Sequence, residues 1–409
     1  MSHDKYLTRR DEALNSRDET EMPDEAPNDA EELFGESEDD LAKLREAASF
    51  DAFVVSSDWT AETLLSQIQR NNIEMDPIFQ RRDAWDRKKK SRFIESLIVG
   101  LPVPQVVLAE RKGKKGKFIV LDGKQRLLTL VQFAQGEFKL SGLELRSDLN
   151  RCNIDTLPGD ERLAFETQTL RTMVVRHWQG DEFLYLVFHR LNTGSVPLSP
   201  QELRQALHPG PFVAFANSYT TEDSSFSRLF GRKDGPDFRM RDVELLVRHF
   251  AFIRFLPEYA GNLKDLLDLT CSRLNSTWPT EQASVEQQSR DCADSISVIS
   301  EIFGKNAFRR HNGEDYERPF NRAVFDIMCF YGRHRAVRDR MQSHPEEVRR
   351  AFEELSQDSR FVASLTSTTK SMEAVEIRLS KWGRALEQAI DFELQIPTVQ
   401  GNRIAYSAI

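Results

Sequence analysis

The sequence contains no run of apolar residues long enough to cross a membrane. Its longest apolar stretches, such as Phe118–Leu121 and Leu245–Val247, fall far short of the roughly 20 residues that span a bilayer. Residues 1–10 are charged and lack an apolar core, so no secretory signal is expected. Only 4 residues are cysteine, and none forms a C-x-x-C pair. We therefore expect a cytoplasmic protein with reduced thiols and no membrane partner.

Several familiar catalytic motifs are also missing. There is no G-x-x-x-x-G-K-[ST], because Gly116-Lys117 is followed by Phe118, which removes the magnesium-binding hydroxyl. H-E-x-x-H and G-x-S-x-G are absent, and the 8 histidines are scattered without the spacing of metal ligands. A P-loop NTPase, a zincin and an α/β-hydrolase are therefore unsupported.

Acidic charge is distributed unevenly along the 409 residues, a length that suits two cores rather than one. Residues 1–48 contain sixteen acidic and six basic side chains, a net charge of −10, whereas the whole chain carries −9. The remainder is therefore close to neutral. We predict that residues 1–48 form a disordered acidic leader, which either solvates the chain or mimics a polyanion over a basic groove.

The apolar spacing predicts an α+β region followed by a mainly helical one. We assign residues 49–208 to the first domain and residues 209–409 to the second. Helices are predicted over 59–71, from Asp83 or Asp86 to 99, over 124–135, over 181–191 and from the capping box at Ser199; strands are predicted over 103–109, 117–121 and 170–178. Beyond Pro211, long amphipathic stretches such as Met240–Phe255 dominate.

The run Asp122-Gly123-Lys124-Gln125-Arg126 lies between a predicted strand and a predicted helix. Glycine lets a ligand approach the backbone, and the N–H groups of a helix start favour phosphate. Arg126 can add a bidentate cation if it points outward from the helix start. Asp122 can hold a divalent ion or sugar hydroxyls, and Gln125 offers a donor and an acceptor. Taken alone, the pentapeptide is more typical of an ordinary turn, because Asp-Gly is a common turn pair.

Further motifs occur around this run, in a fixed order. They are Pro77-Ile78-Phe79-Gln80-Arg81, Trp85, Ile94–Ile98, Gly100–Pro104, the D-G-x-Q-R run itself and the later element Phe188–Leu207. Together they resemble the DUF262 family, the N-terminal module of GmrSD-type modification-dependent restriction systems. The resemblance is strong over residues 70–210 and weak beyond.

The resemblance implies a ParB/sulfiredoxin-like fold that binds and hydrolyses a nucleoside triphosphate with Mg²⁺, gating a nucleic-acid-directed activity in phage defence. It implies that the catalytic residues are Asp122, Arg126 and Arg81, with the metal at Asp122. The implied nucleotide-binding residues are Gln80, Arg81, Gly123, Lys124, Gln125, Arg126 and Asn192. Lys124 replaces a glutamine common in the family and keeps a donor. No HNH nuclease module follows, so a separately encoded nuclease is an expected partner, alongside homo-oligomerisation.

Two alternatives stay open at this point. One is a non-enzymatic regulatory module that binds DNA or a partner protein. The other is a metal-dependent nuclease that uses Asp122 with Glu95. For DNA contact, the sequence offers three basic stretches at residues 81–92, 111–117 and 305–340. The second, on a predicted hairpin tip, is expected to couple nucleic acid to the nucleotide site.

Overall fold

The structure is a computed structural model that describes residues 52–75, 83–191, 199–230, 237, 239–366, 371–401 and 403–405. The predicted acidic leader therefore lies outside the described residues. So do the three predicted site residues Gln80, Arg81 and Asn192.

A four-stranded sheet organises the N-terminal part of the described chain. Its strands are β1 (Phe53–Thr60), β2 (Val106–Glu110), β3 (Phe118–Asp122) and β4 (Thr169–Arg176), in the order β1-β4-β2-β3. The β4–β2 pair is parallel, and the β1–β4 and β2–β3 pairs are antiparallel. Strands β2 and β3 are buried on both faces because β-branched and other apolar residues alternate toward two separate cores.

Helices cover both faces of this sheet. They are α1 (Ala61–Gln69), α2 (Arg87–Val99), α3 (Lys124–Ala134), α4 (Gly159–Thr167), α5 (Asp181–Leu191) and α6 (Pro200–Leu207). Leu127 and Leu130 of α3 pack with Phe93 of α2 on one face, whereas Leu184 of α5 and Leu203 of α6 pack on the other. The start of α3 is thereby held rigidly at the end of β3.

The end signals of α2 are those predicted from the sequence. The side chain of Asp86 accepts a hydrogen bond from Lys89 N at 2.7 Å, which caps the helix start. Gly100 ends the helix with φ +79°, a left-handed conformation that glycine adopts without a Cβ penalty. Strand β1, by contrast, is not among the predicted strands.

The C-terminal part is helical, as predicted. Its elements are α7 (Pro211–Glu222), α8 (Ser224–Arg228), α9 (Arg241–Phe255), α10 (Leu263–Phe303), α11 (Arg322–Gly332), α12 (Arg335–Ser343), α13 (Pro345–Leu355), α14 (Ser359–Thr366) and α15 (Met372–Ile390), followed by the hairpin β5 (Thr398–Gln400) and β6 (Arg403–Ala405). The helix α10 has 41 residues, includes Pro279, and packs against α7, α9 and α11.

The predicted α+β class with a helical C-terminal region is confirmed. All described residues belong to one compact unit that spans residues 36–409. The domain boundary near residue 208 stays a prediction. Within the described ranges, no helix has both the length and the apolar character needed to cross a membrane.

Candidate functional site

The turn from β3 into α3 has the backbone geometry of an anion site. Gly123 is the N-cap of α3, has φ +94°, and offers no side chain to cap the helix. The first intrahelical bond runs from Leu127 N to Gly123 O at 2.9 Å. The N–H groups of the preceding first turn have no acceptor within the helix, and they lie at its positive dipole end. The strand–glycine–helix order is as predicted, and phosphate binding at this turn stays a prediction.

Arg126 does not point outward, contrary to the sequence-based expectation. Its side chain is only 6% exposed, and Nη2 donates to Asp122 Oδ2 at 2.9 Å and to the Gln105 carbonyl at 2.8 Å. Arg126 Nε is buried and has no hydrogen-bond partner among the described residues. The expectation failed because Asp122, four residues earlier, and the Gln105 carbonyl hold the guanidinium through Nη2 on the inner side of the turn.

Position 123 requires glycine for two reasons: its φ is positive, and its surroundings leave little room for a Cβ. A Cβ at this position would lie 3.2 Å from Arg126 Nη2 and 3.2 Å from Val106 Cγ2. The arginine and β2 therefore close off the inner side of the turn. The outer side, where the N–H groups point, is the one left for a ligand.

Asp122 holds the turn through both carboxylate oxygens. Oδ1 accepts a hydrogen bond from Gly123 N at 2.7 Å, and Oδ2 accepts the bond from Arg126. No group of three or more His, Cys, Asp or Glu side chains that could hold a metal occurs within the described ranges. These residues do not form a protein-made metal site, so the Mg²⁺ prediction at Asp122 depends on ligands from a nucleotide.

Glu95, the second carboxylate of the nuclease alternative, has a structural role. It is buried and accepts backbone hydrogen bonds from Leu145 N and Arg146 N at 2.7 Å each, and from Glu144 N at 3.2 Å. A carboxylate that satisfies three backbone donors is held in place by the loop 144–146. The nuclease alternative loses its proposed second ligand.

Lys124 forms a buried ion pair with a residue that the sequence analysis did not connect to it. Its Nζ lies 2.5 Å from Glu202 Oε1, and both side chains are at most 6% exposed. Glu202 Oε2 also accepts Ser199 N at 2.7 Å, and Glu202 N donates to Ser199 Oγ at 3.1 Å. The predicted capping box of α6 is thus confirmed, and its glutamate has a second partner.

Gln125 contacts the chain that follows the predicted Gln80-Arg81 motif. Its Oε1 accepts a hydrogen bond from Ala84 N at 3.2 Å, and Gln132, two turns further along α3, donates to Asp83 Oδ2 at 3.2 Å. These bonds fasten residues 83–84 to α3. Sequence reasoning missed Gln132; the signal was its spacing of two helical turns from Gln125, which places both glutamines on the same face of α3.

Three of the five cations of the hairpin tip at residues 111–117 contact other parts of the fold. Arg111 pairs with Glu74 and donates to the Ala206 carbonyl at 3.0 Å. Lys117 Nζ donates to the Asn71 carbonyl at 3.0 Å, and Lys112 Nζ lies 4.5 Å from the centre of the Trp178 ring. Only two of its five cations, Lys114 and Lys115, have no ion pair or hydrogen bond from their side chains among the described residues.

The first turn of α2 is the more open cationic surface. Arg87, Lys88 and Lys89 are exposed and form no ion pair with the described residues. Lys89 Nζ lies 5.0 Å from the centre of the Trp85 ring. Cations at a helix start oppose the helix dipole and repel one another, so folding alone does not explain them. We call these three residues the α2 basic turn.

In the third predicted basic stretch, at residues 305–340, several arginines serve the helical core. Arg322 pairs with Glu244 at 3.1 Å, and Arg338 pairs with Asp291 at 3.0 Å. Arginines paired across helices in this way hold the fold together and offer less charge to a polyanion.

Comparison with known proteins bears on the N-terminal part of the chain. Residues 61–209 match the family of the GmrSD restriction endonuclease, N-terminal domain. The resemblance predicted from the sequence is confirmed over this segment, which contains the β3–α3 turn, Lys124 and Glu202. No curated protein matches the chain.

Proposed function

We propose that the chain binds a nucleoside triphosphate at the β3–α3 turn and hydrolyses it, and that this controls an activity directed at nucleic acid. One observation carries the proposal: an uncapped helix start follows Gly123, beside a buried arginine, within the segment that matches the GmrSD N-terminal domain family. Phosphate would be bound by the first-turn N–H groups of α3.

The side-chain charges in the described part of the site balance one another. Phosphate would therefore be recognised through hydrogen bonds more than through a net positive charge. Asp122 pairs with Arg126, and Glu202 pairs with Lys124. The two pairs cancel in formal charge, so the N–H groups at the start of α3 provide the attraction toward an anion. The proposal includes Arg81 as a second cation of the site because the family resemblance implies that role.

A magnesium nucleotide, when bound, brings the reactive phosphoryl group together with a divalent charge. The chain's own part is to fix that group and to stabilise negative charge that develops on it. Arg126 acts from the inner side of the turn: with Asp122 and the Gln105 carbonyl it fixes the conformation that presents the first-turn N–H groups, so little reorganisation is needed. Asp122 acts here by holding the arginine and the turn.

The nucleic-acid part of the proposal is supported by the α2 basic turn. Its three exposed cations, which pair with no acidic side chain among the described residues, match the phosphodiester backbone in charge. We propose further that the protein acts in the cytoplasm in phage defence, together with a separately encoded nuclease and as a homo-oligomer.

Phosphate release from each of the four NTPs, with and without duplex DNA, tests the proposal. Release that is lost in Gly123→Ala but kept in Gly116→Ala supports it, because Gly116 has φ +77° with open space around it. Tight nucleotide binding without release would favour the second candidate, a non-enzymatic regulatory module. The observation that favours this second candidate is that Lys124 and Arg126 are each already paired with an acidic residue.

A further inference from the structure

Two charged contacts, joined by the helix α6, connect the β3–α3 turn to the helical region. It begins at Lys124, the first residue of α3, and passes through its partner Glu202 on α6. Two residues later on α6, Arg204 Nε donates to Asp268 Oδ1 of α10 at 2.6 Å. The short helix α6 therefore joins the candidate phosphate site at one side and the 41-residue helix α10 at the other.

The α10 end of this series is firmly built. Asp268 also pairs with Lys264 at 2.9 Å and accepts a hydrogen bond from Tyr185 at 3.3 Å. Burial alone would raise the pKa of Asp268, but Arg204 and Lys264 hold that pKa below its ordinary value. Asp268 therefore remains charged at neutral pH, where it binds Arg204 of α6.

At the other end of the series, the Lys124–Glu202 pair can break without leaving Glu202 as an isolated charge. Arg239 also lies within electrostatic range of Glu202: burial lowers the pKa of Arg239, and Glu202 opposes that shift. Glu202 thus has two cations near it. If Lys124 turned toward an anion, the buried carboxylate would keep Arg239 as a counter-charge and would avoid the large cost of an isolated buried charge.

A phosphate at the start of α3 would be such an anion. Lys124 is the first residue of α3 and therefore lies at the helix end where the phosphate would bind. A polyphosphate also carries more negative charge than one carboxylate. A buried ion pair contributes little net stability over an apolar pair, because desolvation offsets the attraction. The Lys124–Glu202 contact is therefore poorly explained as a device for stability alone.

We propose that the Lys124–Glu202 pair is a latch: phosphate at the β3–α3 turn draws Lys124 from Glu202, and α6 transmits the release to the start of α10 through Arg204 and Asp268. The proposal rests on the proposed nucleotide function for its trigger. The latch itself does not, because substitution can open it without any ligand. Glu202 and Arg204 are positioning residues in this scheme.

Hydrogen exchange of the full chain, followed by mass spectrometry of segments 199–207 and 263–275, tests the latch. Without ligand, Lys124→Met should speed exchange in both segments roughly tenfold, the factor that corresponds to about 1.4 kcal/mol of opening free energy. Lys124→Arg should stay near the wild type. The matched control is Lys90→Met, which removes the half-buried ion pair between Lys90 and Asp83 and should leave segment 263–275 unchanged.

The wild-type chain provides a second test that needs no variant. Magnesium ATP, magnesium GTP and magnesium tripolyphosphate are added separately, and tripolyphosphate tests the phosphate chain without a base. Faster exchange at 263–275 with a bound probe supports the latch. Binding without any change at 199–207 and 263–275 overturns it, as does an unchanged pattern in a folded Lys124→Met variant. If no probe binds while Lys124→Met still loosens both segments, the coupling of α6 to α10 is supported, whereas the phosphate trigger and the nucleotide function fail.

Discussion

Arg126 and Asp122 form an ion pair of 2.9 Å on the inner side of Gly123, so the arginine of the D-G-x-Q-R run supports the turn that carries it. The pair sets the conformation of the loop, and the loop presents its N–H groups to the opposite side. Substitution of either residue is therefore expected to change both stability and ligand binding.

Arg126→Ala should lower the free energy of unfolding by about 1–3 kcal/mol, because Asp122 Oδ2 and the Gln105 carbonyl both lose the donor that Arg126 provides. Denaturant unfolding measures this change, and calorimetric titration of the folded variant measures nucleotide affinity. Lys114→Ala is the control, since Lys114 is exposed. An Arg126→Ala variant as stable as the wild type would contradict the inward-facing role of the arginine.

Gly123→Ala and Gly116→Ala form a matched pair. Both glycines have a positive φ, so alanine costs about 1–2 kcal/mol of backbone strain at either position. Only at Gly123 does the new Cβ meet close neighbours, at 3.2 Å from Arg126 Nη2. We expect Gly123→Ala to be the less stable variant and to bind no nucleotide. Equal effects in the two variants would show that close approach at Gly123 is unimportant.

DNA binding should depend on the α2 basic turn more than on the hairpin tip. The double variant Lys88→Gln/Lys89→Gln should weaken duplex DNA binding and reduce the salt slope, by roughly 0.9 for each phosphate that the variant no longer neutralises. Lys114→Gln/Lys115→Gln removes the same charge from the hairpin tip. Fluorescence anisotropy at several salt concentrations compares the two. A larger effect in the hairpin variant would make the tip, and not the α2 basic turn, the main DNA-binding surface.

Stability should fall in mild acid because of His249. Burial, together with Arg333, lowers the pKa of His249 from 6.5 to about 3. Below pH 6.5 the unfolded chain takes up a proton that the folded chain excludes, so folding stability is lost as the pH falls toward 3. Between pH 7.5 and pH 5 this residue should cost about 2 kcal/mol. Urea unfolding of wild type and His249→Gln at both pH values checks this; the same pH dependence in both would refute it.

Local signals in the sequence predict much of this fold. The Asp86 cap, the Gly100 stop and the Ser199–Glu202 capping box involve residues close together in the chain, and their geometry is as expected. The partner of Lys124 could not be predicted in that way, because Glu202 lies 78 residues later and meets it only through packing of α6 on β3.

The burial of Arg126 could not be predicted for a related reason. Spacing alone places Arg126 in the first turn of α3, where a side chain can face either the ligand or the strand beneath. The choice depends on the Gln105 carbonyl, which reaches the site through the long-range pairing of β2 with β3. Similarly, β1 escapes prediction because its exposed residues blur the alternation expected of a half-buried strand.

The central claim is that phosphate binds the first-turn N–H groups of α3. Hydrogen exchange resolved to single amides at residues 124–126, with and without a saturating magnesium nucleotide, tests it most directly. The helix itself provides no acceptor for the N–H groups of its first turn. A bound anion would accept hydrogen bonds from them, so we predict clear protection of these amides. Saturable nucleotide binding that leaves all three amides exchanging at their free rates would contradict the claim.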